Sequence, residues 1–199
     1  MSVTTTQDSV LLTLDFSPLK MTDEEFYEFC QRNQDFRFEM DKERNLIVLP
    51  PTVLETSNRN SEVNWQLRSW AKKDRTGVAF ESDGMFTLPN GAKRAPDAFW
   101  ILKDKYYALS KEEREERFAR IVPDFVIELR SKSDNLRKLQ NKMSEYIETG
   151  VRLGSLIDPY EKRVHIYRAD ESVEILENPH QVSGEAVLPG FELDLTEIW

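Results

Sequence analysis

Two acidic side chains beside apolar runs are the residues best placed to do chemistry in this chain. Asp97 stands in Arg94-Ala95-Pro96-Asp97-Ala98-Phe99-Trp100, and Glu128 in Pro123-Asp124-Phe125-Val126-Ile127-Glu128-Leu129-Arg130-Ser131. Carboxylates set on neighbouring strands make a hard, oxygen-rich site suited to Mg²⁺, with Mn²⁺ as a substitute, and a nearby cation can steady a phosphate there. A glutamate inside an otherwise apolar strand is costly unless it is paired or metal-bound, which singles out Glu128. The other reading of Glu128 is a buried ion pair with Arg130 or Arg137. Asp97, following Pro96 at a strand start, also fits an ordinary turn residue. Asp124 lies on the same strand face as Glu128 but about 13 Å away at roughly 3.3 Å per residue.

Three further side chains complete the candidate set. Arg130 is two residues past Glu128, so an extended strand would turn it to the same side. Lys142 would approach from the helix that follows, and Glu62 from an earlier helix could add an outer or direct carboxylate. Residues 130–142 hold Arg130, Lys132, Arg137, Lys138 and Lys142 against Asp134 alone, and Arg68, Lys72, Lys73 and Arg75 form a second basic stretch. Phosphodiester hydrolysis needs an activated water, neutralisation of transition-state charge and help for the leaving oxygen. Divalent ions held by fixed carboxylates can supply all three.

The elements that must position these groups are legible from periodicity and turn chemistry. Thr22 with Glu25 forms a capping box opening a helix whose apolar face is Phe26, Phe29 and Cys30. Residues 36–40 and 46–49 read as a hairpin stopped by Pro50-Pro51. A second helix spans 58–73, and strands follow at 78–81, 86–88 and 97–102, with Asn90-Gly91 as a turn between the last two. Residues 106–118 read as a single charged helix. The strongest strand signal is 122–129. Ser133-Asp134 then caps a helix through Thr149, ended by Gly150, with Lys142 at the edge of a stripe of Leu136, Leu139, Met143, Tyr146 and Ile147. Strands at 153–157, 164–167 and 173–176 and a short edge strand over 191–195 complete a mixed sheet flanked by helices, an α/β domain.

Bulk composition narrows the function classes. With 199 residues, 39% apolar and 32% charged, the chain suits one soluble domain over residues 21–199 behind an N-terminal extension, 1–20. No apolar run approaches the roughly 20 residues needed to cross a bilayer. Residues 1–8 lack a basic segment followed by an apolar one, so no signal peptide is expected, and the chain reads as cytosolic. Cys30 is the one cysteine and His165 and His180 have no matching ligand spacing, which argues against disulfides and zinc. Seven glycines draw neither a phosphate-cradling loop nor a dinucleotide fingerprint. A net charge of −9 weighs against a non-specific nucleic-acid binder but not against a nuclease, whose metal-binding groups are acidic.

The Pro96-Asp97 and Glu128-Leu129-Arg130 pair resembles the PD-(D/E)XK nuclease superfamily, in which a lysine normally stands two residues after the second acid. More specifically, Thr87-Leu88-Pro89-Asn90-Gly91-Ala92-Lys93-Arg94-Ala95-Pro96-Asp97, the run from Pro123 to Ser131 and Gly150-Val151-Arg152-Leu153-Gly154-Ser155-Leu156-Ile157-Asp158-Pro159 resemble the Uma-two (Uma2) family of restriction endonucleases. Leu176-Glu177-Asn178-Pro179 and Leu188-Pro189-Gly190-Phe191 fit as well, so the resemblance runs from about Met21 to Trp199. It implies a restriction-endonuclease-like fold, Mg²⁺-dependent cleavage of DNA, metal ligation by Asp97 and Glu128, and a homodimer. Arg130 stands where the superfamily has lysine; arginine clamps phosphate but stays protonated, and Lys142 would take over the lysine's place. Lys132 departs from the proline common at that turn. The alternative to an endonuclease is a non-catalytic protein of the same fold that binds nucleic acid or another protein; a third reading is a metal-dependent hydrolase of a smaller phosphate ester.

Overall fold

The computed structural model describes residues 12–199; the expectation about a signal segment over residues 1–8 falls outside them. In chain order the elements are β1 (Leu12–Asp15), α1 (Asp23–Arg32), β2 (Arg37–Met40), β3 (Asn45–Leu49), α2 (Leu54–Asp74), β4 (Gly77–Glu81), β5 (Phe86–Thr87), β6 (Lys93–Arg94), β7 (Ala98–Leu102), α3 (Lys103–Ala108), α4 (Lys111–Glu115), β8 (Phe125–Leu129), α5 (Leu136–Glu148), β9 (Leu153–Asp158), β10 (Arg163–Arg168), β11 (Val173–Glu177), β12 (Gln181–Ser183) and β13 (Glu192–Asp194). Among the described residues they form a six-stranded sheet in the order β11-β10-β9-β8-β7-β4, a five-stranded sheet in the order β1-β3-β2-β6-β5, and a β12-β13 pair. In the larger sheet β8 and β9 are parallel and the other pairs antiparallel. This is the mixed α/β architecture expected from the sequence, but the strands expected in one sheet divide among three, and the expected edge strand over 191–195 pairs with β12 outside the large sheet.

Strand β8 sits at the centre because it can be buried on both faces. All five of its residues are buried. Phe125, Ile127 and Leu129 enter a core with Val63, Leu67 and Ala71 of α2 and with Phe191, Leu193, Leu195 and Ile198 of the C-terminal segment. Val126 points the other way, into a second core with Met143, Tyr146 and Ile147 of α5. Two-residue alternation therefore puts Glu128 on the α5 side. There Lys142 and Tyr146, four residues apart, lie on one helix face. A third cluster, Phe26, Phe38, Met40 and Leu46, joins α1 to the smaller sheet.

Several expected elements are redrawn by the structure. Residues 106–118 do not form one helix: the chain leaves the helical region at Leu109, and Ser110 starts a new short helix through its own capping box with Glu113. Helix α2 begins at Leu54, four residues before the expected start, without a side-chain cap to announce it. Helix α5 is capped by Asn135, whose side chain accepts from the Lys138 N–H; Asp134 instead accepts from the Ser131 N–H at 2.7 Å. The Asn90-Gly91 turn leads from β5 to the two-residue strand β6, a pairing too short to read from alternation.

Candidate active site

Asp97 and Glu128 line one open cleft of about 1300 Å³, together with Glu39, Arg94, Lys142 and Glu145. Helix α2 and strand β8 fix Asp97 between them. Its Oδ2 accepts from the Leu129 N–H at 2.8 Å, and its Oδ1 from the Asn60 side-chain amide at 3.0 Å. Asn64, one helical turn beyond Asn60, donates to the Asp97 backbone carbonyl at 2.9 Å. Glu62 lies on a different face of α2, where it accepts from Gln66, a residue that also bonds both backbone groups of Asp194. Asparagines, not the glutamate, thus bring α2 to this acid.

Glu128 is 5% exposed. Its Oε1 accepts from the Tyr146 hydroxyl at 2.9 Å and from Lys142 Nζ at 2.8 Å. Its ion-pair partner is therefore Lys142; Arg137 is exposed, and Arg130 is bound elsewhere. Strand β8 ends at Leu129, so two-residue alternation no longer governs Arg130. The Arg130 guanidinium meets Asp158 Oδ2 at 2.6 Å and lies 5.8 Å from the Tyr160 ring centroid, outside the residues that line the cleft. Asp124 is also structural: it accepts from the Leu102 N–H at 2.9 Å and from Lys105 at 2.8 Å.

The structure adds a buried ion network that the sequence did not single out. Lys142 Nζ is 2.8 Å from Glu39 Oε1 as well as from Glu128. Glu39 also accepts from the Ala95 N–H and from Arg94 Nη1, both at 3.1 Å, and Arg94 Nη2 is 2.6 Å from Glu145 Oε2. Asn90 donates to the other Glu145 oxygen at 3.1 Å. One signal was available in the sequence, Glu39 alternating with Phe38 and Met40 in a strand; Glu145 gave none, because at about 100° per residue it lies on the side of α5 away from the stripe of Leu136, Leu139, Met143, Tyr146 and Ile147. Neither residue names its partner, because the contacts join residues about fifty or a hundred positions apart.

Burial and neighbouring charge pull these groups in different directions. Burial pushes the Glu128 carboxyl up to about 7, with Asp97 and Glu39 adding to the rise and Lys142 opposing it. Burial also raises Asp97, against the Leu129 N–H, Lys142 and Asn60. Burial opposes ionisation of Glu39 too, but Lys142 and Arg94 outweigh it and hold its carboxyl low. For Lys142, burial is overcome by Glu128 and Glu39, which keep the ammonium protonated. A carboxyl raised from 4.5 towards 7 on folding takes up protons as the chain folds, so its contribution is present below the unfolded value and is lost as pH rises through the folded one. Metal-free protein is therefore expected to lose thermal stability between about pH 4.5 and 7 through this group. Glu128→Gln should flatten that part of the profile; an unchanged profile in thermal unfolding with chelator would contradict the assignment.

The donor set suits a hydrated hard cation. Asp97 and Glu128 offer carboxylate oxygens at the cleft, and Asn60 Oδ1, beside Asp97, is a buried acceptor without a hydrogen-bond partner among the described residues. Among the described residues no three His, Cys, Asp or Glu side chains gather into a ready-made metal group. Mg²⁺ commonly uses one or two carboxylates and keeps several waters, so two acids satisfy its needs.

The model of the Uma2 family, described as "Putative restriction endonuclease", matches residues 23–196. A solved structure described as a "putative nuclease belonging to DUF820 from Anabaena variabilis ATCC 29413" shares the fold with a TM-score of 0.68. It is 22% identical, over 81% of this chain and 88% of that one. No curated protein matches the chain.

Proposed function

Because the chain belongs to the Uma2 restriction-endonuclease family, we propose that it is a Mg²⁺-dependent endonuclease that hydrolyses DNA phosphodiester bonds in the Glu39–Glu128 cleft. The observation that carries this reading is the convergence on that cleft of Asp97 from the loop before β7, Glu128 from β8 and Lys142 from α5. Asp97 and Glu128 would hold the metal, with Mn²⁺ as a substitute. When bound, the metal would polarise the phosphate and lower the pKa of a bound water. Lys142, kept protonated by two carboxylates, acts as a fixed positive charge toward the phosphate, not as a base. Glu62 and Arg130 are left in supporting roles: Glu62 orders the contact of α2 with the C-terminal segment, and Arg130 holds the β9–β10 turn through Asp158.

The cleft rim carries Arg37, Lys42, Lys132 and Lys138, which suit a phosphate backbone, alongside Asp41, Glu43 and Glu148. That mixture, with the overall charge of −9, makes binding depend on the metal more than on bulk charge. In this reading residues 21–199 are the nuclease domain, and the extension, 1–20, adds Leu12–Asp15 to an edge of the smaller sheet through pairing with β3. A homodimer acting on DNA in the cytoplasm completes the proposal. Among the described residues no helix is long and apolar enough to cross a membrane.

Lys142 and Arg130 provide the discriminating test. Lys142→Ala is expected to slow Mg²⁺-dependent plasmid nicking by roughly 10²–10³-fold, the scale of a lost transition-state charge partner, with Mn²⁺ binding retained. Arg130→Ala should lower thermal stability, because Asp158 loses its partner, while cleavage falls less than about tenfold, below the roughly 10–100-fold cost of losing a group that orients a metal ligand. Equal losses of cleavage in the two variants would return Arg130 to the site.

A further inference from the structure

Lys142 is shared by two carboxylates that differ in freedom. Glu128 faces the cleft beside Asp97 and is the one proposed to bind metal. Glu39 is 2% exposed and pinned on three sides, by Ala95 N–H, Arg94 and Lys142 itself. Arg94 is in turn locked to Glu145. An ammonium has three donors, and here two of them are directed at carboxylates at equal 2.8 Å distances. A cation arriving at Glu128 must compete with that ammonium, since both seek the same carboxylate charge. Lys142 can yield without leaving the cleft only if another anion holds it there.

We propose that Glu39 is a positioning residue: a fixed second carboxylate that retains Lys142 when Glu128 turns to a divalent cation. This rests on the nuclease reading and assigns it a further residue. The placement of Glu39 serves the purpose. It reaches the ammonium from β2, on the smaller sheet, and its bond to Ala95 N–H ties it to the segment that carries Asp97 two residues later. One side chain thereby sets the helix bearing Lys142 against the loop bearing one metal ligand. Without the Glu39 charge, Lys142 has Glu128 alone as its carboxylate partner among the described residues, and metal must displace it outright. Removing Lys142 removes the competitor, and Glu39 then has nothing to retain.

Mn²⁺ titrated by calorimetry into the full chain and three variants tests this apart from activity. Glu39→Gln is expected to weaken Mn²⁺ binding about tenfold, the scale of an outer positioning residue. Lys142→Met should bind Mn²⁺ at least as tightly as the parent, and adding Glu39→Gln to it should change affinity less than about twofold, since the coupling runs through the lysine. Equal weakening by Glu39→Gln with and without Lys142 would overturn the proposal, because Glu39 would then act on the metal directly. So would unchanged Mn²⁺ affinity in Glu39→Gln. If Glu39→Gln does not fold, Glu39→Asp serves: it keeps the charge and retracts it by one methylene, and its loss must likewise vanish in the Lys142→Met background. Absence of Mn²⁺ heat in the parent chain would instead sink the nuclease reading itself.

Discussion

Asp97→Asn and Glu128→Gln are each expected to lower Mg²⁺-dependent cleavage of plasmid DNA by about 10³-fold or more, the loss that follows when charge stabilisation at the reacting phosphate is removed. Both substitutions isolate charge from shape. At position 128, an amide oxygen can still accept from the Tyr146 hydroxyl and from Lys142 as Glu128 Oε1 does. At position 97 the amide oxygen can face the Leu129 N–H, leaving its NH₂ toward Asn60. Asn60 can answer by rotating its own amide, because its Oδ1 has no partner to lose among the described residues. Thermal unfolding temperatures close to the parent are therefore expected alongside lost activity. Cleavage within about tenfold of the parent in either variant would contradict metal ligation by these two acids.

Arg94→Met is expected to be the most destabilising single change in the site. Arg94 is 6% exposed and carries Glu39 and Glu145 on one guanidinium. Removing the cation leaves two buried carboxylates short of a partner, and breaking a buried pair in this way costs about 3–5 kcal/mol. For a chain of this size that is a fall of roughly 6–20 °C in unfolding temperature. Lys142 still pairs with Glu39, so the loss should fall mainly on Glu145. A fall under about 2 °C would show that the network adds little to the fold.

The central frame was legible because it obeys local rules. Thr22 and Glu25 make the expected capping box, and the alternation along 125–129 correctly divides Phe125, Ile127 and Leu129 from Val126. The same alternation, carried one step further, aimed Arg130 at the site. It failed there because the strand stops at Leu129 and Asp158, on the neighbouring parallel strand, offers a carboxylate to the guanidinium. On α2 the acid at position 62 attracted notice by charge, whereas Asn60 and Asn64 make the contacts to Asp97. An uncharged amide on a helix gives no signal of its own until the strand opposite is known. Glu39, Arg94 and Glu145 were hidden for the same reason: each is an ordinary charged residue locally, and only the meeting of two sheets with α5 makes them a network.

The most direct test is the position of the metal. A crystal soaked in Mn²⁺, examined by anomalous scattering, is predicted to show a peak bonded to oxygens of both Asp97 and Glu128, at about 2.0–2.3 Å, the range for a hard cation on carboxylates. Lys142 Nζ should then remain within hydrogen-bond distance of Glu39. A well-ordered cleft with no peak at these acids, under Mn²⁺ concentrations that support cleavage, would contradict the account.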